Sequence, residues 1–146
     1  MPVPFAIVPY EDRFKKELVD VWERSVRATH DFLDPTDIVY FKGIVEHIDF
    51  NSFPVFCVVD QNRVVGFVGV ADTKIEMLFL DPDHIGKGLG KRLVEFALVE
   101  WQANKVDVNE QNLKAVKFYE KCGFVVCGRT EKDSAGKDYP ILQMKI

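Results

Sequence analysis

The sequence predicts an α/β fold in which a mixed, mostly antiparallel sheet of about seven strands carries about four helices on its two faces. Three observations predict it. Short apolar runs are separated by tight turns, helix-period segments are interleaved with them, and one strand–helix–strand unit requires a parallel crossover. The 146 residues have the length of one domain, 1–146, and 47% hydrophobic with 12% aromatic residues is enough to fill its core.

Phe5 to Val8 reads as a first strand that stops at Pro9. From Glu11 to Ala28, Phe14, Leu18, Val21, Trp22 and Val26 recur at helical spacing. A second helix follows Asp34-Pro35, where proline suits the first turn, and runs to about His47. Val55 to Val59 and Val64 to Ala71 form a hairpin about the turn 60–63, and Asp72-Thr73-Lys74 turns the chain into a strand from Ile75 to Leu80. The glycine-rich segment Gly86 to Gly90 opens a helix through about Trp101, with Leu93, Val94, Ala97, Leu98 and Trp101 on one face. Val106 to Val108 is a short strand, and Leu113 to about Cys122 a helix that Gly123 ends in a left-handed cap. Phe124 to Arg129 and Tyr139 to Lys145 close the chain as a hairpin.

The formal charge of −4 disfavours nucleic acid, because a phosphate-tracking surface is usually basic. No apolar run approaches the roughly 20 residues that span a bilayer, so no membrane partner is expected. Met1-Pro2-Val3-Pro4-Phe5 lacks the regions of a signal peptide, and the expected compartment is the cytoplasm. Cys57, Cys122 and Cys127 suit neither zinc nor a disulfide framework; each has apolar neighbours and reads as a small buried hydrophobe. No metal site is expected, and His47 and His84 read as exposed.

The most informative stretch is 81–91, where Gly86-Lys87-Gly88-Leu89-Gly90-Lys91 stands between a strand and a helix. Alternate glycines let backbone approach a ligand, and a helix's first turn offers unpaired N–H groups and a dipole that favours an anion. A pyrophosphate fits both, with Lys87 and Lys91 adding charge. The triphosphate loop G-x-x-x-x-G-K-[ST] and the dinucleotide fingerprint G-x-G-x-x-G do not match. Further on, Asn112 is a good helix N-cap, and Ala115, Val116, Tyr119 and Cys122 share a helical face.

Together these segments resemble the GNAT superfamily of acyl-CoA-dependent N-acyltransferases. The resemblance rests on Leu78-Phe79-Leu80-Asp81-Pro82, on Gly86 to Gly90, and on Asn112 through Phe124 in the pattern N-x-x-A-x-x-F-Y-x-x-x-G-F. It is nearest the YjaB-like bacterial branch, in 25–33, 108–112 and 136–140. The loop departs at Ile85, where the superfamily usually has Arg or Gln. The resemblance implies a GNAT-like fold, acetyl-CoA as co-substrate and a primary amine as acceptor, on a small molecule or on a protein lysine or N-terminus. It implies that Leu78, Phe79 and Leu80 flank the pantetheine arm, with the Leu78 and Leu80 backbones bonding it where their strand splays from its neighbour. Gly86, Lys87, Gly88, Leu89, Gly90 and Lys91 would receive the pyrophosphate, Asn112 would touch the arm, and Tyr119 would face the sulfur.

Acyl transfer to an amine needs a neutral nucleophile, a held oxyanion and a proton for the leaving thiolate. Deprotonating a lysine-like amine at pH 7 costs roughly 4–5 kcal/mol. Tyr119 suits the general acid, its reference pKa of about 10 keeping it protonated at neutral pH. Glu76, His30 and water are candidate bases, and Arg27, His30 and Phe32 candidate acceptor contacts near the junction of the first two helices. The alternatives are an acyl-CoA sensor without turnover and an interaction protein whose glycine loop is only a turn. A monomer and a homodimer are both compatible with the pattern.

Overall fold

The computed structural model describes residues 5–146; Met1 to Pro4, part of the stretch judged to lack a signal peptide, lie outside the described residues. Among the described residues the chain forms β1 (Phe5–Pro9), α1 (Lys15–Thr29), α2 (Pro35–Glu46), β2 (Val55–Asp60), β3 (Arg63–Ala71) and β4 (Lys74–Leu80). It continues through α3 (Leu89–Trp101), β5 (Lys105–Asn109), α4 (Leu113–Lys121), β6 (Val125–Thr130) and β7 (Ile141–Lys145). The strands order as β1-β2-β3-β4-β5-β7-β6. Every neighbouring pair is antiparallel except β4 and β5, which the α3 crossover makes parallel.

Local chemistry sets the helix ends. Asp34 Oδ1 accepts from the Thr36 N–H at 2.9 Å beside Pro35 at the head of α2. Asn112 Oδ1 accepts from the Ala115 N–H at 3.2 Å and so caps α4. Gly123, at φ +102°, turns the chain out of α4 into β6.

Alternation along the strands divides the interior into two cores. On one face Leu18, Trp22 and Val26 of α1, with Ile38 and Val45 of α2, pack on Cys57 and Phe67. On the other, Leu89, Leu93 and Ala97 of α3 and Tyr119 of α4 pack on Val68, Val106 and Met144.

Two expectations are corrected. Cys57 is buried, its thiol pushed up to about 12 by burial, but Cys122 is half-buried and Cys127 exposed. Cys127 lies on β6, the edge strand of the sheet, where every residue but Gly128 is exposed. His84 is half-buried rather than exposed: it stands edge-on to Phe5, with Asp60 Oδ2 3.6 Å from Nε2. Among the described residues, no helix is long and apolar enough to cross a membrane.

Candidate active site

The centre of the sheet is forked. β4 and β5 pair only at Lys74 with Lys105 and Ile75 with Val106, and beyond those two pairs the strands part. The Asp81 N–H donates to Val65 O on β3 at 2.8 Å. Across the planar peptide the Leu80 carbonyl must point the opposite way, into the fork, and two-residue alternation directs the Leu78 backbone likewise. A cavity of about 140 Å³ occupies the fork, lined by Leu78, Asn109, Asn112, Ala115 and Tyr119 among others.

The register slips once on β4: Gly69 pairs with Met77 but Val70 with Ile75, leaving Glu76 as an extra residue. Strict alternation would put Ile75 and Met77 on one face, opposite Glu76. The bulge separates them instead: Ile75 belongs to the α3/α4 core, and Met77 packs against the α1/α2 core. From there Leu78 and Leu80 face α3 and α4, while the Phe79 ring faces α1, 6.4 Å from Trp22 and 6.5 Å from His30. Phe79 also lines the fork, but its ring is turned to the opposite face and alternation directs its own N–H and C=O to β3.

The glycine loop begins at the far end of β4. Gly86 and Gly88 hold φ +87° and +79°, and a Cβ at either would meet nothing within 4 Å. Their requirement is therefore conformational rather than steric. Gly88 sits at the N-cap of α3 without a side-chain cap, and the Arg92 N–H, bonded to Gly88 O at 3.1 Å, is where the intrahelical ladder starts. The amides of Leu89, Gly90 and Lys91 precede that ladder. Gly90 is needed for packing, since a Cβ there would stand 3.2 Å from the Phe118 ring. Lys87 and Lys91 are exposed, and Ile85 is 51% exposed.

Tyr119 is 7% exposed, its ring edge-on to Phe118 at 5.1 Å and Phe124 at 5.6 Å. Burial, then the nearby Cys122, holds its phenol well above the usual tyrosine range, so it is protonated at neutral pH.

A second cavity, about 630 Å³, opens on the other face between α1, α2 and the β6–β7 loop. Trp22, Leu33, Phe41 and Phe53 give it apolar walls. His30, Glu76, Met77, Phe79 and Asn109 line both this cavity and the fork, so the two meet there. Thr29 Oγ1 gives its proton to Ser25 O at 2.7 Å and lies 2.8 Å from His30 Nδ1. His30 must then donate from Nδ1, which leaves the Nε2 lone pair free. Burial drives this imidazole down to about 4 against the opposing pull of Asp31. A larger depression of about 880 Å³ between Lys15, Glu23 and Lys42 is a charged surface groove that reaches none of these groups.

Of the expected acceptor contacts, His30 lines the cavity and Phe32 supports it from behind, its ring 5.3 Å from His30 and 6.2 Å from Tyr139. Arg27 does not reach it. Trp22 and Val26 set the inward face of α1, so Arg27 falls outward and pairs with Glu23, one turn back, at 2.9 Å. Glu76 is exposed, at the mouth shared by both cavities. Sequence reasoning missed two long-range ties. Arg24 pairs with buried Asp81 at 2.8 Å, and the Tyr139 hydroxyl donates to Asp37 Oδ2 at 2.6 Å while accepting from the Asp34 N–H at 3.1 Å.

A family model described as an acetyltransferase (GNAT) domain matches residues 51–126. The peptidyl-lysine N-acetyltransferase YjaB of Salmonella typhimurium is 41% identical over 133 residues, covering 88% of this chain and 89% of that protein. The solution structure of apo YjaB from Escherichia coli superposes with a TM-score of 0.90 at 38% identity, over 98% of this chain and 97% of that one. A 5-NmdU N-acetyltransferase of Pseudomonas phage PaMx11 is 30% identical over 129 residues, 79% of this chain and 83% of that protein.

Proposed function

The chain belongs to the GNAT acetyltransferase family, and from that premise we propose that it moves the acetyl group of acetyl-CoA to the side-chain amine of a protein lysine, with Tyr119 as general acid. Acyl transfer from acetyl-CoA is the chemistry of the family; the lysine acceptor and the residue roles are our reading. The relatives named peptidyl-lysine N-acetyltransferases support a lysine acceptor. The apolar-walled cavity supports it independently, because a lysine brings four methylenes behind its amine.

The observation that carries the reading is the meeting of two cavities at β4. Coenzyme A enters the fork with its pyrophosphate on the amides of Leu89, Gly90 and Lys91, the flanking Gly86, Lys87 and Gly88 giving the backbone access. Leu78 and Leu80 offer backbone to the pantetheine arm, with Phe79 between them and Asn112 lining the same cleft. The thioester then lies between Tyr119 and the acceptor mouth.

Glu76 draws a proton from the incoming ammonium through water, the freed lone pair forms the C–N bond, and the now cationic nitrogen gives up its second proton through the same water to solvent. Backbone N–H of β4 holds the oxyanion. Collapse breaks the C–S bond, the thiolate takes the Tyr119 proton, and solvent restores the phenol. The raised phenol is compatible with this step because the departing thiolate forms in the same dry cleft, where desolvation also strengthens it as a base. We read residues 1–146 as one catalytic domain.

Incubation of the purified protein with acetyl-CoA and a panel of lysine peptides, followed by free-thiol release and peptide mass, tests the proposal. Thiol release coupled to mass gain on lysine is expected. Coenzyme A binding without transfer to any amine would overturn catalysis, and transfer only to small amines would overturn the protein acceptor.

A further inference from the structure

Three buried side-chain atoms lack any hydrogen-bond partner among the described residues: Asp60 Oδ1, His84 Nδ1 and Asn109 Oδ1. The first two belong to neighbouring side chains beside Phe5. Asn109 alone stands where the fork and the acceptor cavity meet.

Its position is held by main chain. Asn109 pairs with Ile141 on β7, its carbonyl accepts from the Asn112 N–H at 3.0 Å, and the Glu110 N–H donates to Pro140 O at 2.9 Å. The backbone is thus pinned on both sides, while the side-chain carbonyl is left dry and unpaired. A buried carbonyl without a donor lowers stability, so such a group in a folded protein calls for a ligand or a chemical role.

The same junction carries the Glu76 carboxylate and the free Nε2 of His30. These atoms and Asn109 Oδ1 are hydrogen-bond acceptors on three residues that line the same junction. Such acceptors suit a nitrogen with several N–H bonds. We propose that Asn109 Oδ1 accepts an N–H of the incoming amine and so turns the nitrogen lone pair toward the thioester carbonyl. This rests on the amine-acetylating reading above and adds a contact that fixes the acceptor's orientation.

Asn109→Leu keeps the volume and removes the acceptor; Asn109→Asp keeps the acceptor. Both are compared with the parent using a lysine peptide that the parent acetylates. With Asn109→Leu, kcat/KM for the peptide is expected to fall about 10- to 100-fold, while coenzyme A affinity by calorimetry stays within about twofold. The melting temperature of the free protein should hold or rise, because an unpaired polar atom has been removed. Asn109→Asp should retain most of the peptide affinity. Unchanged kcat/KM in Asn109→Leu overturns the proposal, as does a joint loss of melting temperature and coenzyme A binding in both variants, which marks a structural role. A parent that acetylates no amine overturns the functional reading instead, and the two failures are distinct.

Discussion

Arg24 of α1 clasps Asp81 at the end of β4, Nη1 to Oδ2 at 2.8 Å, and reaches Asp83 Oδ2 at 3.3 Å. Asp81 is 7% exposed, and its other oxygen accepts from the Asp83 N–H at 3.0 Å, shaping the short turn Pro82–His84 before the glycine loop. A helix on one face of the sheet thereby steadies the loop that leads to the other. Arg24→Ala leaves a buried carboxylate without its cation, and we expect a loss of about 2 kcal/mol in urea unfolding. Coenzyme A binding should weaken with it, by calorimetry.

Gly86→Ala and Gly88→Ala place a Cβ in open space but on backbone of positive φ. Each should cost roughly 1–2 kcal/mol of conformational strain. Because the strain is relieved by turning the amides away from the anion, coenzyme A affinity should fall about tenfold or more while the far core keeps its amide protection. Equal affinity in both variants would show that the loop does not grip the cofactor.

His30 titrates at about 4 when folded and near 6.5 when unfolded. Between those values the unfolded chain binds a proton that the folded one does not, so stability rises with pH through this window and is lost as pH falls from about 6.5 to 4. The full contribution is about 3 kcal/mol. His30→Gln should flatten the melting temperature against pH over that interval; an unchanged slope would place the effect elsewhere.

Tyr119→Phe should lower turnover at least about tenfold with little change in coenzyme A affinity, since the ring packing stays and only the proton is lost. Glu76→Gln should shift the acidic limb of the pH–rate profile. A superimposable profile would return the base role to His30 or water.

Tyr139→Phe removes the hydroxyl that ties the β6–β7 loop to Asp37 and to the Asp34 amide. Lys137 beside Asp37, and then the Tyr139 hydroxyl, hold that carboxyl below its ordinary range. Both hydroxyl ties are lost and one ion pair remains, because Lys137 still reaches Asp37 at 2.8 Å. The expected outcome is a several-fold rise in acceptor KM at constant coenzyme A affinity, read in steady-state kinetics.

The features that read well from the chain are those whose chemistry is local. Gly86 and Gly88 take positive φ, Asn112 caps its own helix, and Trp22 and Val26 mark the inward side of α1. The bulge at Glu76 does not read, because Met77 to Leu80 beyond it is apolar on both faces and a slip of register there leaves no polar residue on the wrong side. The same α1 spacing separates Arg27 from Trp22 and Val26, but nothing local names Asp81 as the partner of Arg24, 57 positions away. Tyr139 and Asp37 are 102 positions apart. Cys127 is exposed because β6 ends the sheet, a matter of strand order that its apolar neighbours do not reveal.

A sheet whose two halves share only the pairs at Lys74 and Ile75 is mechanically a book with a short spine. Its open pages are the edges of Leu78 and Leu80 on one side and of Val108 and Asn109 on the other. On the proposed binding mode a thioester arm laid between them would act as the missing strand and stiffen the wall against which the acceptor docks. We therefore expect donor before acceptor as the order of addition, read from product-inhibition patterns in steady-state kinetics.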